Sequence, residues 1–218
     1  MDSGAAGKTL KVVTKDLAVI TDGLATTDGL EVRATVSEGR LLSECEELVR
    51  FVAHRAAQGA LKISDGQEPG YGYWRTQFIA DEEGFLEMWE LDPKGEELLR
   101  GVNLTLRYWI DQHETCRRFH SEFVPPRPDQ LVVVSEGVFE GDNVKVVRYS
   151  FPEHMSGWWM VTDRYNGKID SLRTEHLVHL TFVRPDLSKY IALSEGFRFD
   201  LTTQEDVWFD EAVLREEA

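Results

Sequence analysis

The spacing of apolar residues changes several times along the chain, and each change predicts an element. Between residues 10 and 36, short β-prone runs at Leu10 to Thr14, Leu17 to Thr21 and Leu30 to Val36 alternate with the turn-forming pairs Asp22-Gly23 and Asp28-Gly29, a pattern of strands and hairpins. The period then lengthens. Cys45, Leu48, Val49, Val52, Ala53 and Ala56 recur three and four apart as far as Gly59, which predicts an amphipathic helix capped by Ser43, with Glu46 three residues on. The stretch SDGQEPGYGY, Ser64 to Tyr73, is rich in Gly and polar residues and reads as an exposed loop.

Trp74 to Ala80 and Phe85 to Leu91 flank the turn Asp81-Glu82-Glu83-Gly84 and read as a hairpin that Asp92-Pro93 ends. Glu82 and Glu83 read as a solvated edge. From Asn103, a potential cap, the residues Leu106, Trp109, Ile110, His113, Cys116 and His120 keep helical spacing and predict a second long helix with one apolar stripe. Pro125, Pro126 and Pro128 then force an extended crossing, because proline lacks an amide donor and restricts its predecessor. A boundary is placed there, between an N-terminal α+β region at 1–128 and a C-terminal α+β domain at 129–218, the two sharing one core or not. Beyond it, Leu131 to Val134, Val144 to Tyr149 and Trp158 to Thr162 predict strands of one sheet. Thr174 to Phe182 reads as a strand or a short helix, Pro185 to Ala192 as a helical turn, and Val207 to Glu217 as a terminal helix. The expected fold is thus α+β: a mostly antiparallel sheet with two long helices and a C-terminal helix.

Charge and cysteine usage narrow the function. The formal net charge is -15, from 39 acidic against 24 basic residues, so no excess of Lys and Arg exists to neutralise phosphates, and nucleic-acid binding is disfavoured. A basic partner suits this surface better, while solubility alone is the more ordinary reason for an acidic composition. Only Cys45 and Cys116 occur, too few for a disulfide-stapled secreted domain. The opening MDSGAAGKTLKVV has no charged leader followed by a long apolar run, and no stretch has the ~18 consecutive apolar residues of a membrane span. A cytoplasmic protein is expected.

Chemical signals are weak. Gly4-Ala5-Ala6-Gly7-Lys8-Thr9 has the end of a phosphate-binding loop, but Asp2 stands where its first glycine belongs and β-prone residues follow in place of a helix. His113, Cys116 and His120 have zinc-ligand spacing on a helix, yet they continue its apolar stripe and no fourth ligand is evident, so a packed, metal-free face is expected. His176 and His179, with Asp163, Asp170 and Glu175, are the one cluster from which a hydrolase site can be built. None of Ser156, Ser171, Ser188 and Ser194 has the Gly-x-Ser-x-Gly elbow of an activated nucleophile. No cofactor is implied.

Six tryptophans occur, and those adjacent on a strand, Trp158 and Trp159, must point to opposite faces, so at least one is covered by a second layer or available to a partner. The partner surface is expected at an exposed aromatic among Tyr71, Tyr73, Trp158 and Tyr165, with Asp163 as an acidic neighbour.

One ordered series of short motifs is more specific: Leu131-Val-Val-Val-Ser-Glu-Gly137, Gly157-Trp158-Trp159, Thr162-Asp163, Tyr165-Asn166-Gly167, His179-Leu180, and Arg184-Pro185-Asp186-Leu187 followed by Tyr190, Leu193, Gly196 and Phe199. Over residues 131–201 the chain resembles the Immunity protein 33 domain of bacterial polymorphic toxin systems. The resemblance implies an α+β, cytoplasmic domain that binds and neutralises a cognate protein toxin; it carries over no catalytic residue and names no counterpart for residues 1–130. Three readings stand: a toxin-binding immunity protein, an unrelated protein-interaction module, and a hydrolase at His176 and His179.

Overall fold

A computed structural model describes residues 11–24, 29–150 and 152–215. In chain order these form β1 (Lys11–Lys15), β2 (Ala18–Asp22), β3 (Glu31–Thr35), α1 (Leu42–Ala57), β4 (Thr76–Ala80), β5 (Phe85–Leu91), β6 (Leu98–Arg100) and α2 (Asn103–Arg118). There follow β7 (Leu131–Val134), β8 (Lys145–Arg148), β9 (Met155–Val161), β10 (Arg173–His176), α3 (Leu177–Val183), β11 (Phe197–Asp200) and β12 (Asp206–Phe209). Leu10, the Gly4-to-Thr9 motif, Asp28 and Glu217 lie outside the described residues.

The fold is α+β, with two sheets in place of the one expected. One has the order β1-β2-β3-β5-β4, with β6 also on β5, and the other β10-β7-β9-β8-β11-β12. Pairing is antiparallel except for β3 with β5 and β7 with β9. The chain divides into two compact units, 1–92 with 96–107, and 93–95 with 108–218. The division falls inside α2, upstream of the proline crossing, so Pro125, Pro126 and Pro128 belong to the second unit. Among the described residues the expected terminal helix is absent: Val207, Trp208 and Phe209 form most of β12 against β11, and a short 3-10 turn, Glu211–Arg215, follows. Adjacent β-branched and aromatic residues favour the strand. Thr174 to Phe182 is both of its alternatives, the end of β10 and the start of α3.

In the first unit, α1 buries Cys45, Leu48, Val49, Val52 and Ala53, the face its spacing predicts. Ser43 is not its cap: a 3-10 turn at Gly39–Leu41 leads directly into the helix, and Ser43 lies in the first turn. Asn103 does not cap α2 either. The buried Glu90 of β5 accepts hydrogen bonds from the Leu104 and Thr105 amides (2.9 and 2.8 Å) and from the Thr105 hydroxyl (2.9 Å), satisfying amides that no carbonyl of the helix can reach. Burial pushes the Glu90 carboxyl up, against the pull of these donors. Asn103 Oδ1 instead accepts from the Ser37 amide (2.7 Å). On the sheet face opposite α1, the guanidinium of Arg33 pairs with Asp81, Glu83 and the fully buried Glu87, and lies 4.4 Å from the Phe85 ring centre.

The second unit is built around Arg148 of β8, a 5 % exposed residue. Its Nε donates to Ser156 O (3.1 Å), and its Nη1 to Val124 O (2.7 Å), Ile191 O (3.3 Å) and Leu193 O. These carbonyls come from β9, the proline crossing and the segment after α3, so one side chain ties three stretches to the sheet. Burial pushes the guanidinium down to about 10; it stays charged at neutral pH. Trp158, Met160, Val146 and Phe199 form the buried face beside it. Trp158 Nε1 donates to Ile191 O (2.9 Å), and Tyr190 stacks on Phe199 at 4.5 Å. A second arginine does similar work: Arg184 donates to Val138 O and Asp142 O (3.0 and 2.9 Å) while Asp186 holds its outer edge.

Replacing Arg148 with Lys keeps the charge but loses the fork that reaches several carbonyls, and is expected to cost about 3 kcal/mol in chemical denaturation; an unchanged midpoint would show that water or other donors satisfy them. Glu205 provides a pH test. Hydrogen bonding from Tyr190, then from Lys189 and Arg118, holds its carboxyl down to about 2. A depressed acid stabilises the fold above its ordinary value and loses that contribution as pH falls toward the folded value. Wild type is therefore expected to melt above Glu205→Gln at pH 6, with the difference closing between about pH 4.5 and 2.

Candidate functional site

Strand register puts one residue from each of the six strands of the second sheet in a single row: Thr174, Val133, Trp159, Val147, Arg198 and Trp208 are successive cross-strand partners. Side chains alternate along a strand, so this row lies on the face opposite Trp158 and Arg148. The next row carries Val161, Lys145, Asp200 and Asp206. This second face is accessible: Trp208 is 40 % exposed, Trp159 and Val147 are half-buried, and only Val133 is close to fully covered.

A glycine permits an irregularity in β9 just before the two tryptophans. Register slips between Leu131 and Val133 opposite β9, with Gly157 at φ +81° in the slip. A Cβ there would run into the carbonyl of Tyr149, and that φ is one side chains rarely adopt. After the irregularity Trp158 faces the core and Trp159 the open side, edge-on to Tyr149 at 5.8 Å.

Trp159, Tyr149, Tyr165 and Trp208, with Lys145, Arg198 and Asp200, line a hollow of about 370 Å³. Trp159 also borders a second, shallower hollow of about 480 Å³ beside Ile169, which is 76 % exposed. The two cations on the surface are engaged: Lys145 with Asp163 (3.2 Å) and Arg198 with Asp210 (2.8 Å). Burial would raise the Asp200 carboxyl, but the Thr202 hydroxyl and amide (2.6 and 2.8 Å) and nearby Lys145 hold it below the usual carboxylate range. An aromatic floor with a charged rim suits binding, with wide contact area and few rotamers to freeze.

The expected site residues separate. Tyr165 lines the hollow, half-buried, and Asp163 sits exposed on its rim. Trp158 is fully buried; its neighbour Trp159 is the one presented. Tyr71 and Tyr73, 5 % and 2 % exposed, lie in the first unit. Their segment is the loop expected, exposed at Asp65 to Glu68 and at Gly70, but Gly66 and Gln67 pair with Phe78 of β4 and the tyrosines turn inward, Tyr71 edge-on to Phe51 at 5.2 Å. Burial pushes the Tyr71 hydroxyl up. Sequence reading missed Trp159, Tyr149 and Trp208. The alternation of β9 marks Trp159 as opposite to Trp158 but not which faces outward, and the spacing from Val207 to Glu217 points to a helix for Trp208.

The histidine groups also differ from expectation. Cys116 is buried, but His113 is exposed and stacks on Phe123 at 3.7 Å. His120 lies past the end of α2 at φ +56°, also exposed. The inner face of α2 therefore excludes both histidines. His176 and His179 come within 5.5 Å across the β10–α3 junction, both exposed. Of the carboxylates grouped with them, Asp163 pairs with Lys145 and Glu175 with Arg173. Among the described residues no three His, Cys, Asp or Glu side chains gather as a metal site, and no helix is long and apolar enough to cross a membrane.

The second unit is an α+β domain with one sheet face sealed by its own chain and the other presenting aromatics. Residues 111–210 match the model of a known family, the Imm33-like domain. The match starts within α2 and ends just past β12, so it takes in the whole second sheet and extends beyond the 131–201 stretch whose motifs carried the resemblance. No curated protein and no solved structure matches the chain. The motifs that carry the resemblance serve mainly the fold: Gly157 permits the β9 slip, Arg184 and Asp186 clamp the 138–142 turn, and Tyr190 and Phe199 stack in the core.

Trp158→Ala is expected to destabilise the protein by about 3–5 kcal/mol, as for a large buried aromatic, and Trp159→Ala by about 1 kcal/mol or less. Denaturant midpoints of the two variants check this; equal losses would mean that the second face is also part of the core.

Proposed function

We propose that the protein is an immunity protein: it binds a cognate bacterial toxin directly in the cytoplasm and neutralises it without catalysing a reaction. The observation that carries this reading is the match of residues 111–210 to the Imm33-like domain. An accessible aromatic sheet face in the same unit supports binding as its mode of action, and Tyr165 with Asp163 belongs to the proposed contact surface. The net charge of -15 favours a basic toxin by speeding encounter.

The test is to express each product of the genes adjacent to this one, with and without the full chain. One product is expected to arrest growth alone, to be harmless with this protein, and to co-purify with it. If none both arrests growth and is bound, the immunity reading fails. Catalysis at His176 and His179 has its own assay on ester, phosphodiester and peptide substrates. No turnover is expected; turnover lost on His179→Ala would establish an enzyme instead.

A further inference from the structure

We propose that the open face of the β10-β7-β9-β8-β11-β12 sheet is a docking surface for a basic segment of a partner protein, which lays arginine or lysine side chains over Trp159 and Trp208 and against Asp200 and Asp206. The surface rests on the immunity reading only for the identity of that partner.

Three observations converge on it. The aromatics lie in register: Trp159 and Trp208 share one cross-strand row, with Tyr149 and Tyr165 beside the same hollow. Such rings attract cations through their negative faces, guanidinium most readily. Asp200 and Asp206 are direct antiparallel partners, a pairing of like charges that costs stability unless a cation lies between or above them. The resident cations offset that charge only in part: Lys145 bonds Asp163 and acts on Asp200 from nearby, Arg198 bonds Asp210, and among the described residues neither Asp200 nor Asp206 forms an ion pair. Four carboxylates thus stand against two bases.

The surface selects among occupants. An acidic segment would meet the excess carboxylates, and a second copy of this chain, itself at -15, would set acid against acid. A basic segment offsets Asp200 and Asp206 and gives the tryptophans a planar cation to stack on. The hollow of about 370 Å³ is of the size that takes one or two long side chains.

The experiment titrates the full chain with a short arginine-rich peptide, and with a glutamate-rich peptide of equal length, by calorimetry at physiological salt. Saturable binding of the arginine peptide is expected, weakened about tenfold or more by Trp159→Ala, by Trp208→Ala and by the pair Asp200→Asn with Asp206→Asn. Trp159→Phe should retain most of the affinity. Glu44→Gln with Glu47→Gln, an equal loss of charge on α1, should change it less than about twofold. Circular dichroism confirms that each variant is folded; Trp208→Ala, at an edge strand, carries the test if Trp159→Ala is not. Equal weakening by the α1 pair would reduce the effect to net charge and overturn the proposal. So would tight binding of the glutamate peptide, failure of the arginine peptide to bind, or self-association that the face variants abolish. The two readings fail separately. A toxin held with wild-type affinity by the face variants removes this surface and leaves immunity intact, whereas peptide binding without any bound toxin removes immunity and leaves the surface.

Discussion

The second unit depends on one buried cation that has no carboxylate partner within hydrogen-bond reach. The charge of Arg148 is satisfied by carbonyl oxygens of Ser156, Val124, Ile191 and Leu193. Each bond to a charged donor is worth about 1.5–3 kcal/mol, and leaving the guanidinium unsatisfied would cost several. These carbonyls belong to segments with little regular structure, whose backbone would otherwise need water or secondary structure for its hydrogen bonds. Arg148 therefore does for loops what a ladder does for strands. It helps to seal one face of the sheet.

Sealing that face with its own chain leaves the other for recognition. The short α3 and the 185–193 segment bury Leu177, Leu180, Leu187, Tyr190 and Ile191, and the core is complete with Trp158 among them. On the other face Trp159 is half-buried and Trp208 is 40 % exposed, so both keep contact with solvent. Gly157 and Arg184 hold the scaffold, and an exposed sheet face can change in sequence at little cost to the fold.

The first unit solves its polar burial differently. Arg33 gathers Asp81, Glu83 and Glu87 from the β4–β5 hairpin, and Glu90, from the same strand as Glu87, caps α2. Both are charges placed where an unsatisfied group would be costly. The hairpin between Thr76 and Leu91 therefore anchors both the sheet and the start of α2, a role that its acidic turn, read as a solvated edge, did not disclose for Glu83.

Much of the local structure was determined by the sequence itself. Helical spacing from Cys45 to Ala56 and the hairpin around Gly84 depend on side-chain period and turn chemistry, which act over a few residues. The motifs from Leu131 to Phe199 were enough to place the chain beside the Imm33-like domain. Tertiary structure decided what depends on distant partners. Capping of α2 passed from Asn103 to Glu90 because a buried carboxylate from another strand reached the amides first. Val207 to Phe209 became a strand because β11 offered an edge. The glycine-rich loop turned Tyr71 and Tyr73 inward by pairing with β4. The choice between Trp158 and Trp159 shows the limit most clearly: alternation required them to diverge, but only the chain held by Arg148 determined which face was closed, and so which tryptophan was left to meet a partner.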